Sequence, residues 1–314
     1  MKKLEYSLKF ERFLPWLIKA ADLLPRRNLI RVPADSHQPP PFFILGSGRN
    51  GSTLLAGMLT QHAKLHVPPE QWAMHEMILK YKFYNWCSWK RLSGQLLEVI
   101  ERPNKTSAWK TNFEPVRRIL QNLPNNEQSL QRIFNEVFSA HGRQLNKNFQ
   151  RWGDQSPLTT VYLEYIYPVY PGASYIFLLR DGRDVVSSMV TNNNRDIRFA
   201  TWKWLHSLEK YEWIKERISS SKLHFLRYED LVQEPQQELS RLSNFLGYDF
   251  EPDMLNFTQA FDQLGIKGLS HHQRLSQQLD TSSIGSWKER LSQDQIDFML
   301  PRLAEQLNAF GYTD

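Results

Sequence analysis

Apolar positions along the chain follow two patterns. Short unbroken runs, FFIL at 42–45, YIFLL at 175–179 and LHFLRY at 223–228, have the length and aromatic or aliphatic content of buried strands, and turn-forming residues precede each. Between them the spacing shifts to three and four. Leu54, Leu55, Met58 and Leu59 share one face over 52–62, as Leu239, Leu242, Phe245 and Leu246 do over 238–246, and both segments read as core-facing helices. Strands alternating with helices predict crossover units, and hence a three-layer α/β/α fold around a central parallel sheet. Such sheets bind ligands beyond the carboxyl ends of their strands.

Composition adds boundaries. The 314 residues are 41% apolar and 23% charged with 14 Gly and 17 Pro, which excludes disordered, collagen-like and coiled-coil classes. A basic segment and linker at 1–36 run into the proline-rich RVPADSHQPPP at 31–41, and one domain is expected over 37–314. The net charge of +6 suggests a polyanionic partner until it is located. Residues 1–31 hold eight bases against three acids, so five of the six net charges lie there, and no nucleic-acid surface is expected on the rest.

Within that segment Leu4, Leu8, Phe10, Phe13, Leu14, Leu17 and Ile18 are interleaved with bases. Two readings stay open: an amphipathic helix over 4–24 making peripheral contact with an anionic membrane, or an arm packed on the domain or on a partner subunit. The stretch 13–24 is broken by Pro15, Lys19 and Asp22 and is too short to span a bilayer. A lone Cys87 allows no internal disulfide and no cysteine metal cluster. A soluble protein of a reducing, cytoplasmic compartment is the corresponding expectation. Oligomeric state is not legible.

The first strand runs into GSGRNGST at 46–53 and then into the first helix. Gly46 and Gly51 have the spacing of the G-x-x-x-x-G-K-[ST] phosphate loop, but Ser52 stands at the lysine. Glycines, a helix N-terminus and the hydroxyls of Ser52 and Thr53 still make a phosphate cradle, with Arg49 as its cation. A metal-independent site for a nucleotide 5′-phosphate fits better than NTP hydrolysis. This loop resembles the 5′-phosphosulfate loop, P-[KR]-S-G-[ST]-T, of the sulfotransferase superfamily, in Arg49–Asn50–Gly51–Ser52–Thr53, with Asn50 at the usual serine and Gly48 at the usual proline. The resemblance implies a P-loop NTPase-like sulfotransferase fold, 3′-phosphoadenosine-5′-phosphosulfate (PAPS) as donor, no metal, and those five residues around the donor's 5′ group.

The run at 175–179 ends in RDGRDVVSSMV. Asp181 can cap the next helix with Asp184 in a capping-box position, leaving Arg180 at the strand end and Ser188 about two turns along, near enough to share an anion. This block is similar to the family's 3′-phosphate motif, which assigns that role to Arg180 and Ser188. RYEDLVQEPQQEL is similar to a segment whose tyrosine, here Tyr228, lies by the adenine. SSIGSWKERLS at 282–292 is similar to the late loop that closes over the donor, which makes Gly285, Trp287 and Lys288 candidates.

Transfer to a hydroxyl requires a base and cations at the transferring group. LHVPPEQW places Glu70 after a short strand, where tyrosylprotein and several bacterial sulfotransferases carry a glutamate base; His75 is the alternative. RWGDQSPLTT resembles G-[DE]-K-[ST]-P, but Gln155 replaces the lysine, so either Lys110 of SAWKTN substitutes or catalysis is weak. SAWKTN also has Asn112 where cytosolic sulfotransferases have a histidine base. Trp72, Tyr81, Phe83, Tyr84, Trp86 and Trp89 read equally as an acceptor wall or as helical core. The resemblance thus implies a PAPS-dependent sulfotransferase acting on an organic hydroxyl. A catalytically weak PAPS-binding or membrane-associated protein is the second reading, and an NTP-dependent kinase the third.

Overall fold

The computed structural model describes residues 23, 27–31, 39–102, 109–257 and 283–312. The helix expected over 4–24 therefore lies, Leu23 apart, outside the described residues. Residues 27–31 pack on the domain: Asn28 is bonded to Asn85, and the Tyr81 hydroxyl donates to the carbonyls of Asn28 and Leu29. Among the described residues no helix is long and apolar enough to cross a membrane.

Five parallel strands form one sheet in the order β2-β3-β1-β4-β5: β1 (Phe42–Leu45), β2 (Leu65–His66), β3 (Arg151–Asp154), β4 (Ser174–Leu179) and β5 (Leu223–Arg227). β1 pairs with β3 on one side and β4 on the other. The chain leaves β1 toward β2 and later leaves β4 toward β5. The carboxyl ends of β1 and β4 therefore open onto the topological switch point, where such sheets bind ligands.

The period of two along a strand divides the core into two layers. Phe43, Leu45, Tyr175 and Phe177 face one cluster, with α2 (Met74–Tyr84), α3 (Trp89–Glu101), α4 (Glu114–Gln121), α5 (Leu130–Gln144), α8 (Gly182–Asn193), α9 (Ile197–Lys215) and α13 (Gln293–Ala309). Phe42, Ile44, Ile176 and Leu178 face the other, with α1 (Ser52–Gln61), α10 (Tyr228–Gln233) and α11 (Pro235–Leu246). Two short helices, α6 (Pro157–Val161) and α7 (Leu163–Ile166), follow β3, and α12 (Trp287–Arg290) precedes α13. The layers, the parallel sheet and the three apolar strands agree with the pattern of the sequence, except that Tyr228 opens α10 instead of ending β5.

β3 is the strand that apolar periodicity misses, because RWGD holds one large apolar residue. Its polar members are accommodated individually. Arg151 is buried and donates to the carbonyls of Pro40, Pro41 and Leu246 and to Ser174 Oγ, which ties the entry of β1 to its neighbours. Gly153 admits the Phe42 ring, where a Cβ would stand 2.3 Å from Cε2. The aromatic stretch divides too: Tyr81 and Trp89 are core, whereas Trp72, Tyr84 and Trp86 are exposed.

Candidate active site

Between β1 and α1 the backbone is left-handed at Gly48 (φ 75°), Arg49 (φ 58°) and Gly51 (φ 96°). Such turns direct successive N–H groups to one side, and here they do so at a helix N-terminus. Gly51 has a further reason to be glycine: the Tyr228 ring lies against it, and a Cβ would stand 2.4 Å from Cδ2. Asn50 is 1% exposed and its Nδ2 donates to Leu178 O at 2.7 Å. Its side chain thus ties the loop to β4 and does not project as a ligand group. Thr160 Oγ1 accepts from Gly46 N at 2.9 Å, a second anchor, from α6.

Arg180, at the end of β4, donates through Nη1 to Arg49 O at 3.3 Å and through Nη2 to Ser283 O at 2.8 Å, and its guanidinium carbon lies 4.5 Å from the Tyr228 ring centre. Its Nε is buried without a partner among the described residues. Tyr228 Oη and Ser283 Oγ are 3.2 Å apart. Ser188 Oγ accepts from Arg49 Nε at 3.1 Å and from Asn192 Nδ2 at 3.2 Å. The two motifs, 131 positions apart between Arg49 and Arg180, therefore form one site, and the arginine bonded to Ser188 is Arg49. Burial first, and then the neighbouring charge of Arg180, lower the Arg49 pKa, while Glu70 opposes the shift. Two guanidiniums held this close suit a ligand with more than one negative charge.

Asp181 caps α8 as expected, accepting from Arg183 N at 2.8 Å and pairing with the Arg183 guanidinium. Asp184 does something the capping-box reading misses. Its Oδ2 accepts from Gly285 N at 2.7 Å and its Oδ1 from Trp287 N at 3.0 Å, so it holds the loop at 283–287 over the site. Burial raises its pKa, and those bonds oppose the rise. Gly285 is left-handed (φ 73°). The Trp287 ring belongs to the core, with Arg183 above it at 5.2 Å, and Lys288 is exposed beside it.

On the opposite side, β2 leads through Pro68 and Pro69, which stiffen the backbone before Glu70. Trp109 Nε1 clamps that segment by donating to Pro69 O at 2.7 Å, and Trp72 Nε1 donates to Glu70 Oε2 at 3.3 Å. Burial raises the Glu70 pKa, against the Trp72 bond and the charges of Lys203 and Arg49. Asp154, fully buried at the end of β3, is pushed up to about 7 by burial in spite of bonds from Thr159 and Ser156, and the Glu70 charge adds to the rise. Gln155 is buried, and its Oε1 lacks a partner among the described residues.

The other two suggested groups, Lys110 and His75, differ in their surroundings. Lys110 is exposed, its carbonyl bonded to Gln144, and no contact among the described residues joins its ammonium to Arg49 or Glu70. His75 stacks flat on Tyr162 at 4.4 Å, and burial lowers its pKa. Besides Arg180, a cation beside the loop is Lys203 of α9, which carries no motif signature.

The fold and site define a class: an α/β protein with an anion loop at the switch point, from which the NTPase lysine is absent and in which arginines stand instead. The sulfotransferase family profile matches residues 40–252, and the chain belongs to that family. It is similar to a putative protein-tyrosine sulfotransferase of Caenorhabditis briggsae, 23% identical over 86% of this chain and 88% of the other. A Drosophila melanogaster protein-tyrosine sulfotransferase is 23% identical over 90% of this chain, which spans 53% of that protein. Among solved structures, the sulfotransferase domain of the Synechococcus PCC 7002 olefin synthase has the same fold, with a TM-score of 0.57, 20% identity and coverage of 90% of this chain and 98% of that one.

Proposed function

We propose that the protein transfers a sulfuryl group from PAPS to a hydroxyl of an organic acceptor, with Glu70 as base. The observation that carries the reading is the convergence of Arg49, Arg180, Ser188 and Tyr228, with the Glu70 carboxylate near enough to act on the charge of Arg49. The fit to a doubly phosphorylated nucleotide rests on the left-handed loop, on the unpartnered Arg180 Nε, and on two arginines with no carboxylate in salt-bridge distance among the described residues.

PAPS supplies the sulfuryl group: the acceptor oxygen bonds to sulfur as the bond from sulfur to the 5′-phosphate oxygen breaks. Glu70 takes the acceptor proton, and its raised pKa makes it a stronger base than an exposed carboxylate. Arg49 and the loop N–H groups hold charge on the 5′ side, Arg180 and Ser188 hold the 3′-phosphate, and Tyr228 flanks the adenine. Gly285 lets the anchored loop turn beside them. The acceptor class is open to carbohydrate, lipid, small metabolite or tyrosyl hydroxyls, the last suggested by the relatives' names.

Calorimetry of the desulfonated product PAP against AMP tests the donor. PAP should bind at least about tenfold more tightly, and Arg180→Gln should erase the preference; equal affinities in the wild type contradict the reading. A PAP preference without transfer of label from PAPS to a cell extract would instead favour the weak-binding alternative, which rests on Gln155.

A further inference from the structure

Resting on that reading, we propose that Lys203, reaching in from α9, supplies the positive charge at the transferring sulfonate that the GDQSP turn lacks at Gln155.

Position is the first argument. Lys203 Nζ stands 3.7 Å from the point a Cβ on Gly48 would occupy, and Pro157 Cγ, two residues past Gln155, stands 3.3 Å from the same point. The ammonium and the lysine-less turn therefore flank one residue of the anion loop.

The second argument is how the ammonium is held there. Trp204, the next residue, is fully buried, and its Nε1 donates to Arg180 O at 3.0 Å. Gly182 allows the close approach, since a Cβ there would stand 2.7 Å from the indole. α9 is thus locked in register against the end of β4, and Lys203 is delivered to the loop by the same strand end that presents Arg180.

Availability is the third. Lys203 is half-buried, yet no carboxylate lies within salt-bridge distance of it among the described residues, and its nearest aromatic contact is the Phe199 ring, 6.0 Å from Nζ. Lys210 of the same helix is paired with Glu164, and the Lys147 ammonium is bonded to Thr60 O. Burial lowers the Lys203 pKa, Glu70 opposes that shift, and Arg195 adds to it. With Arg49, Lys203 sets two cations near enough to act on the Glu70 carboxylate. In the transfer step it neither gives nor takes a proton; it holds charge while the acceptor oxygen replaces the phosphate oxygen on sulfur.

The test compares wild type, Lys203→Met, Lys203→Arg and the double variant Lys203→Met with Gln155→Lys. Initial rates are read with saturating labelled PAPS and a cell extract as acceptor source, and PAP affinity by calorimetry. Lys203→Met should lower the rate about 100-fold with PAP affinity within about threefold of wild type. It should also move the acid limb of the pH profile upward, because a charge that holds the Glu70 pKa down is lost. Gln155→Lys in that background should restore the rate at least about tenfold. A Lys203→Met rate within about threefold of an active wild type overturns the inference alone, as does a loss that neither Lys203→Arg nor Gln155→Lys recovers. A wild type that transfers nothing overturns the sulfuryl-transfer reading and this inference with it.

Discussion

The two halves of the site are built by different means. The half proposed to bind the donor consists of loops after β1 and β4 and the loop at 283–287, held by bonds to main-chain atoms: Asn50 to Leu178 O, Arg180 to Arg49 O and Ser283 O, and Asp184 to Gly285 N and Trp287 N. The half proposed to receive the acceptor collects side chains from separate elements, Glu70 after β2, Gln155 after β3 and Lys203 within α9, each placed by its own element's docking, as Trp109 on Pro69 O and Trp204 on Arg180 O show. Phosphate binding needs N–H groups to converge, which only a particular local backbone can do. Charge at a reacting centre can come from any element that reaches it. A cation can therefore move between elements in one half, while the backbone of the other cannot.

The largest effect should come from removing the proposed base, Glu70. Glu70→Gln should lower the transfer rate 10²- to 10⁴-fold, about 3–5 kcal/mol of barrier, with PAP affinity close to wild type. In the proposed role Glu70 works ionised, so the wild-type rate should fall as pH drops through its pKa. That limb should lie above the ordinary carboxylate value of about 4.3, since burial raises it. The variant should lack the limb. A variant that keeps both the rate and the limb would pass the role to another group and leave the acceptor half without its chemistry.

The same contrast explains what is legible in the sequence. Arg49, Gly51, Arg180 and Ser188 stand in contiguous blocks because each block makes one turn at one strand end. Glu70 is legible for a similar reason, as a residue just past a short strand. Lys203 is not, because ATWKWLHS encodes only a helix, and its contribution depends on Trp204 docking on Arg180 O across the fold. β3 escapes because Arg151 and Gly153 suit it through contacts with Pro40, Leu246 and Phe42 that lie far away in sequence. Asp184 reads as a local capping residue, yet its partners lie 101 and 103 positions away.

If backbone shape governs the donor half, a methyl group should damage it nearly as much as a lost charge damages the other. Gly51→Ala adds a Cβ 2.4 Å from Tyr228 Cδ2 at a left-handed residue. It should cost about 2–4 kcal/mol, part as strain and part as steric overlap, read as a lower melting temperature and weaker PAP binding. In a Tyr228→Ala background, where the overlap is gone but the strain remains, adding Gly51→Ala should cost less stability than it costs the wild type. No further cost of Gly51→Ala in that background would show that the loop tolerates another shape.

The smallest effect tests the loop that closes the donor half. Asp184 offers one oxygen to Gly285 N and the other to Trp287 N and Ser286 Oγ. In the Asp184→Asn protein the side-chain amide would keep one acceptor and turn its NH₂ toward a backbone N–H that has lost its partner, a loss of about 1–2 kcal/mol. Since Asp184 touches neither Glu70 nor Arg49, the acid limb of the pH profile should stay in place while PAP affinity falls several-fold. Hydrogen exchange should quicken at the amides of Gly285 and Trp287. Unchanged protection there would mean that the core-bound Trp287 ring holds the loop by itself, and that the carboxylate at 184 serves only α8.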